Sequence, residues 1–291
     1  MRAAPAPIPE RQLSLEVEGG QITGWLSGNG PSLLLLHGGP GLSDYLVGLA
    51  AELAPAFSVF RYQQRGLPPS VTDGDRSVEG HVADAVRVLD GLGWERAIIA
   101  GHSWGGHLAM HIVVAHPERA RALAPIGALW AVGDGGAAVF EQNLLGQLSA
   151  SERAQLDEIS AREDAEDAPP IGEPESMRIL WPYYFADPPN APPIWPLLSD
   201  RVGSQATWAS IIDHFERKNL EKGLAGLSVP TILIHGEHDP IPAAEAKRTA
   251  LLIPGAELHI LPRTGHYLWL EEPGAVRRLV RGIIAGGVAG N

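Results

Sequence analysis

Gly101-His102-Ser103-Trp104-Gly105 decides the reading of this chain. The pentapeptide follows Arg96–Ala100, an apolar stretch that reads as a buried strand. It precedes Leu108–Ala115, which continues as a helix and stops at His116-Pro117. A serine in that place fits G-x-S-x-G, the pattern of a nucleophile held on a sharp strand-to-helix turn. Strand and helix cross closely at such a turn, so the flanking positions must be small, and Gly106 adds another small residue. The helix N-terminus aims free N–H groups and the positive end of its dipole at the serine. An ordinary glycine turn is the plain alternative in a chain with 34 glycines. The strand before and the helix after favour the first reading.

Outward from this turn, strands and helices alternate. Gln12–Glu18 and Gln21–Leu26 flank Gly19-Gly20 and alternate apolar with polar residues, as a β-hairpin does. Ser32–Leu36, Phe57–Tyr62 and Arg121–Ile126 read as further strands, the first a continuous apolar run. Helical patterns occupy Tyr45–Leu53 and Ser77–Leu92, the second with Val78, Val82, Val86 and Leu89 on one stripe. The rhythm resumes with strand Thr231–Ile234, helix Pro242–Leu252, strand Glu257–Leu261 and helix Pro273–Ile284. The expectation is an α/β fold, with a mostly parallel central sheet and helices on both faces.

Residues 133–221 break the alternation. The segment opens with Gly133-Asp-Gly-Gly136, a turn or a hinge, and carries a capping box at Ser149 and Glu152. It then becomes rich in proline and aromatic residues from Trp181 to Pro196. It reads as a mostly helical cap inserted into a core formed by residues 1–132 and 222–291.

Composition narrows the function. The chain has 291 residues, enough for one large domain with an insertion. A net charge of -12 repels phosphates and anionic lipid, so neither nucleic acid nor a membrane surface is an expected partner. There is no cysteine, hence no disulfide framework and no thiol nucleophile. The proline-rich start, Met1 to Pro9, has no apolar signal segment, and no run is long enough to span a bilayer. The expected location is the cytoplasm; the oligomeric state is left open. His107 and His111 stand at a metal-ligand spacing, but no third ligand is evident, so neither a metal nor another cofactor is expected.

Three loops at the ends of predicted strands complete the candidate site. His37-Gly38-Gly39-Pro40-Gly41 follows Ser32–Leu36, and its missing side chains let backbone N–H groups face a substrate oxygen. The expected oxyanion donors are the amides of Gly39 and Trp104, each worth about 2.7–4 kcal/mol in a transition state. Asp239, after Thr231–Ile234, is the candidate acid, with Glu237 its rival. His266, after Glu257–Leu261, is the candidate base, with His238 a rival. His266 would take the proton of Ser103, and Asp239 would fix the imidazole tautomer. The expected substrate-binding residues are His37, Gly38, Trp130, Trp181, Tyr184 and Trp269.

With these residues in hand, the sequence resembles the α/β-hydrolase family over nearly its whole length. Within it, the prolyl-iminopeptidase-like branch is the nearest likeness. His37–Gly41 matches that branch's HGGPG, Gly101–Gly106 its G-x-S-W-G-G elbow, and Leu270-Glu-Glu-Pro273 its entry to a final helix. Gln64-Arg65-Gly66 resembles the end of its DQRG segment, with Gln63 in place of the aspartate. The resemblance implies Ser103, Asp239 and His266 as a triad without a cofactor. Iminopeptidases bind a free amine with acidic residues from or near the cap, and Ser151–Glu175 is rich in carboxylates; a solvated helix face is the alternative reading of that run. The expected substrate is a small or medium carboxylic ester, cleaved through an acyl-enzyme. An aminopeptidase acting on a short peptide with N-terminal proline is the second reading. A non-catalytic small-molecule receptor is the remote third. Epoxide hydrolases and haloalkane dehalogenases of this fold use aspartate at the elbow, and Ser103 argues against both.

Overall fold

The computed structural model describes residues 9–133 and 136–287. Met1 to Ile8, and Asp134 and Gly135 of the glycine-rich hinge candidate, lie outside the described residues. β1 (Glu10–Val17) and β2 (Gly20–Ser27) form the expected hairpin, with Val17 opposite Gly20. β3 (Ser32–Leu36), α1 (Val47–Leu53), β4 (Ser58–Tyr62) and the short β5 (Val71–Thr72) follow. Next come α2 (Val78–Gly91), β6 (Ala97–His102), α3 (Trp104–Ala115) and β7 (Ala120–Ile126). The inserted segment contains α4 (Ala137–Leu145), α5 (Ala150–Glu163), β8 (Ile171–Gly172) and α6 (Ser176–Leu180). It continues with β9 (Ser199–Asp200), α7 (Arg201–Arg217) and α8 (Asn219–Ala225). β10 (Ile232–Gly236), α9 (Ala243–Leu252), β11 (Glu257–Leu261), α10 (Leu268–Glu271) and α11 (Ala275–Gly287) complete the described chain.

The main sheet runs β1-β2-β4-β3-β6-β7-β10-β11, with β5 beside β2. From β4 to β11 neighbouring strands are parallel. The apolar runs explain why. Leu34 and Leu36 of β3 join Ile99, Trp104 and Leu108 in one buried cluster. Leu33 and Leu35 join Ile98, Ala100 and Leu49 in a second. Both faces of β3 are thus covered by helices, so the strand reads as continuous leucine rather than as an alternation.

Helix boundaries shift where propensity misleads. α3 starts at Trp104, directly after the serine as the elbow requires, although Gly105 and Gly106 are poor helix formers kept for close packing. α11 starts at Ala275 rather than Pro273; the Glu52 carboxylate accepts the N–H groups of Gly274 at 2.8 Å and Arg277 at 3.1 Å. On α2, Ser77 is the N-cap rather than the first helical residue, its side chain accepting the Gly80 N–H, and Ala85 and Val88 join the buried face while Val86 is only partly covered.

In the inserted segment the predicted capping box forms: Ser149 Oγ accepts the Glu152 N–H, and Glu152 accepts the Ser149 N–H. The expected boundary at residue 221 falls inside α8. That helix packs on α3, with Gly223 against Val114 and with Leu220 and Leu224 in the core. Backbone contacts bind the insertion to the strand-end loops. The Asp200 N–H donates to Gly41 O at 2.7 Å, and the Ser43 N–H donates to Leu198 O at 2.8 Å. No described helix is long and apolar enough to cross a membrane.

Candidate active site

Ser103 sits between β6 and α3 with φ 58° and ψ −124°, a backbone region that L-residues avoid. The surroundings impose it. The Ser103 N–H donates to Ile126 O at 2.9 Å, and Ser103 O accepts the Gly106 N–H at 3.0 Å. A Cβ on Gly105 would run into the Leu36 and His37 carbonyls, and one on Gly101 into the Gly105 backbone, so both glycines are required by packing. The Ser103 hydroxyl makes no capping bond to α3 and stands on a partly accessible residue.

His266 and Asp239 meet from different loops. The His266 Nδ1–H donates to Asp239 Oδ2 at 2.8 Å. Asp239 Oδ1 accepts the Ile241 N–H at 2.8 Å. The His266 N–H donates to Tyr184 O at 2.7 Å, so the inserted segment holds this loop too. Burial pushes the His266 imidazole below its ordinary value, favouring the neutral form. Burial pushes the Asp239 carboxyl up, opposed by His235 and by the Ile241 N–H. The rivals lie elsewhere. Glu237 accepts the Arg263 N–H at 3.1 Å, and the exposed His238 faces Glu237.

The glycine loop turns beneath Ser103. Gly39 has φ 58°, and a Cβ there would strike Leu42. The Gly39 and Trp104 N–H groups donate to no acceptor among the described residues. The Gly38 N–H is engaged: it donates to Tyr45 Oη at 3.0 Å. His37 is buried and holds the loop rather than facing solvent. Its Nδ1–H donates to Gly38 O at 3.0 Å, and its Nε2 accepts the Gln64 N–H at 3.1 Å. A trans peptide points its C=O and N–H in opposite directions, so fixing Gly38 O also aims the Gly39 N–H. Gln64 bridges the two candidate donors' supports. Its Oε1 accepts the Trp104 Nε1–H at 2.9 Å, and its Nε2 donates to His37 O at 2.7 Å. Gln63, where the resemblance has aspartate, accepts the Asp44 N–H at 2.8 Å and donates to Leu42 O.

The aromatic candidates separate. The Tyr184 ring centroid lies 5.3 Å from that of His266. Trp181 is buried against Phe185, Trp195 and Tyr267 as part of an aromatic core. Trp269 is buried edge-on to His102 at 4.8 Å, and Trp130 is buried against Phe215 at 6.2 Å. These three are placed in packing, while Tyr184 is placed beside His266. Tyr45 and His102 also border the site, and the sequence carries no signal that joins them, because no spacing pattern links two residues so far apart.

Part of the acidic run pairs with its own neighbours. Glu173 pairs with Arg178, Glu175 with Arg162, and Glu163 accepts from Ser176. A cavity of about 630 Å³ opens here, lined by Arg162, Glu163, Arg201 and Ser204 among others, and Ser103 is not part of its wall. His107 and His111 bond to each other at 3.2 Å, and His107 also bonds to Trp130 O. Among the described residues, no group of three or more His, Asp or Glu is placed to hold a metal ion.

A serine on a forced turn, a histidine of fixed tautomer and two unengaged amides together suit acyl transfer. Known proteins agree with the fold. The sequence profile of the alpha/beta hydrolase family matches residues 33–279. A 2-hydroxymuconate semialdehyde hydrolase of Pseudomonas putida is 27% identical over 305 residues, covering 97% of each chain. A pimeloyl-[acyl-carrier protein] methyl ester esterase of Nitrosomonas europaea is 26% identical over 85% of this chain and 93% of its own. The crystal structure of a carboxylesterase from Bacillus subtilis superposes with a TM-score of 0.67 and 21% identity, over 96% of this chain and 93% of that one, which is a likeness of fold. With the elbow, the parallel sheet and a profile match over most of its length, this chain belongs to the alpha/beta hydrolase family.

Proposed function

We propose that the protein is a serine hydrolase that cleaves small or medium carboxylic esters through an acyl-enzyme. The observation that carries this reading is the backbone of Ser103, held at φ 58° at the head of α3 while the His266–Asp239 pair closes at 2.8 Å. In this reading, His266 Nε2 takes the Ser103 proton as Oγ attacks the ester carbonyl. The Gly39 and Trp104 amides stabilise the oxyanion. His266 then returns the proton to the departing alcohol, and water repeats the sequence to free the acid. Residues 133–221 act as a cap that holds both the glycine loop and the base loop. Three of its carboxylates, Glu175, Glu173 and Glu163, are engaged by Arg162, Arg178 and Ser176, and the cavity beside them does not include Ser103, which supports the ester over a substrate with a free amine.

The test is a paired assay of purified protein on a short-chain p-nitrophenyl ester and on a proline anilide with a free amine. Ester cleavage without anilide cleavage is expected. Anilide cleavage that disappears when the amine is acetylated would replace the ester reading with the aminopeptidase reading.

A pH profile checks the base. Only neutral imidazole accepts the proton, so kcat/KM rises with pH through the His266 pKa. Burial lowers that pKa, and an ionised Asp239 at 2.8 Å opposes the shift, so the limb reports the His266–Asp239 pair. A rate flat from about pH 5 to 8 would contradict a histidine base.

A further inference from the structure

The residue before the nucleophile occupies a position that the triad does not explain. His102 is fully buried, with Nδ1 2.7 Å from Tyr45 Oη and Nε2 2.9 Å from His266 O. The proton positions follow from elementary bonding. A carbonyl only accepts, so His102 Nε2 carries a hydrogen toward His266 O. Burial favours the neutral ring, which has one N–H, so Nδ1 is bare. Nδ1 must then accept from Tyr45 Oη–H. The tyrosine oxygen in turn accepts the Gly38 N–H at 3.0 Å. One directed chain therefore runs from Gly38 N–H to Tyr45 O–H to His102, and from His102 N–H to the His266 carbonyl. It joins residues 38, 45, 102 and 266 in the interior, where an unmade bond is costly.

We propose that Tyr45 and His102 are positioning residues that tie the glycine loop to the loop of the base. This rests on the serine-hydrolase reading above. By holding the Gly38 N–H, Tyr45 removes one of the loop's adjacent amides from use and fixes the His37–Gly38 peptide plane. His37 fixes the next plane through Gly38 O. The Gly39 N–H is thereby left as the loop's aimed donor. At the other end, His102 anchors the backbone from which the His266 ring projects. The link sets the distance between the oxyanion and the base while touching neither the substrate nor the reacting atoms.

Three variants separate this from a packing role. Tyr45→Phe keeps the ring contacts with Trp195 and Tyr267 but removes the hydroxyl. His102→Gln keeps a donor at the level of Nε2 and loses the acceptor for Tyr45. The double variant breaks the same link once. On the p-nitrophenyl ester, each single variant should lose about 10- to 100-fold in kcat with little change in KM, the scale of a misplaced catalytic group. The double variant should lose no more than the worse single, because the effects share one link. Wild-type kcat in a folded Tyr45→Phe protein, or additive losses in the double variant, would overturn the proposal. If Tyr45→Phe does not fold, His102→Gln alone decides by the same kcat and KM criterion. Labelling by a fluorophosphonate, read at Ser103 by mass spectrometry, separates the two levels. No label and no ester cleavage in wild type would remove the hydrolase reading itself. Label in wild type with unchanged variants would remove only the link.

Discussion

Ser103→Ala is expected to lower kcat for ester hydrolysis by on the order of 10⁴–10⁶ while the folded structure is retained. The size follows from what is removed. Without Oγ there is no covalent step, and His266 and Asp239 have nothing to activate. On the proposed mechanism, the Gly39 and Trp104 amides alone remain to stabilise charge. Retention of the fold follows from the surroundings. The hydroxyl makes no capping bond, and the turn is fixed through the Ser103 backbone by Ile126 O and the Gly106 N–H. Alanine keeps the Cβ and therefore the strain. Ser103→Gly should be equally inactive yet more stable, because glycine adopts φ 58° without the cost of order 1–3 kcal/mol that other residues meet there. Steady-state kinetics and thermal unfolding of the two variants check both halves. Comparable activity in Ser103→Ala would remove Ser103 as the nucleophile. A glycine variant no more stable than wild type would mean that the turn is not strained.

How much of this was legible depends on where the determinants lie. The parallel strands announce themselves, because burial on both faces forces runs such as Ser32–Leu36 and Ile232–Ile234. The Gly101–Gly106 turn is equally visible, since close crossing demands small residues in a fixed spacing. The inserted segment is less so. On α5 only Leu156 is buried, so its sequence lacks the periodic stripe that would fix its face. Trp130 and Trp269 look like pocket residues by proximity to the catalytic loops in sequence, yet the fold buries them against Phe215 and His102. Contacts across long sequence distances leave no local trace. Tyr45 with His102, and Gln64 with Trp104, become neighbours only after β3, β4 and β6 pair.

Asp239→Asn tests the pairing of acid and base, and its expected cost is about 10⁴ in kcat, the scale of a triad histidine left in the wrong tautomer. The geometry says why the loss is so large for so small a change. Asp239 uses both oxygens: Oδ1 accepts the Ile241 N–H at 2.8 Å and Oδ2 accepts the His266 Nδ1–H at 2.8 Å. An asparagine has one carbonyl oxygen for those two donors. The Ile241 N–H is backbone, sits in a buried loop and cannot turn away, so it keeps the oxygen. The amide NH₂ then faces His266 Nδ1, which must become an acceptor. The ring hydrogen moves to Nε2, the atom that has to receive the Ser103 proton, and the base is blocked. The imidazolium formed during reaction also loses its anionic partner. Glu237→Gln provides the contrast. Glu237 is exposed and caps the Arg263 N–H with one oxygen, which glutamine can still do, so kcat should stay within about threefold of wild type on the usual scale of surface changes. A large loss in Glu237→Gln with little in Asp239→Asn would move the acid to Glu237. Equal losses in both would show that the loop as a whole, rather than one carboxylate, orients His266.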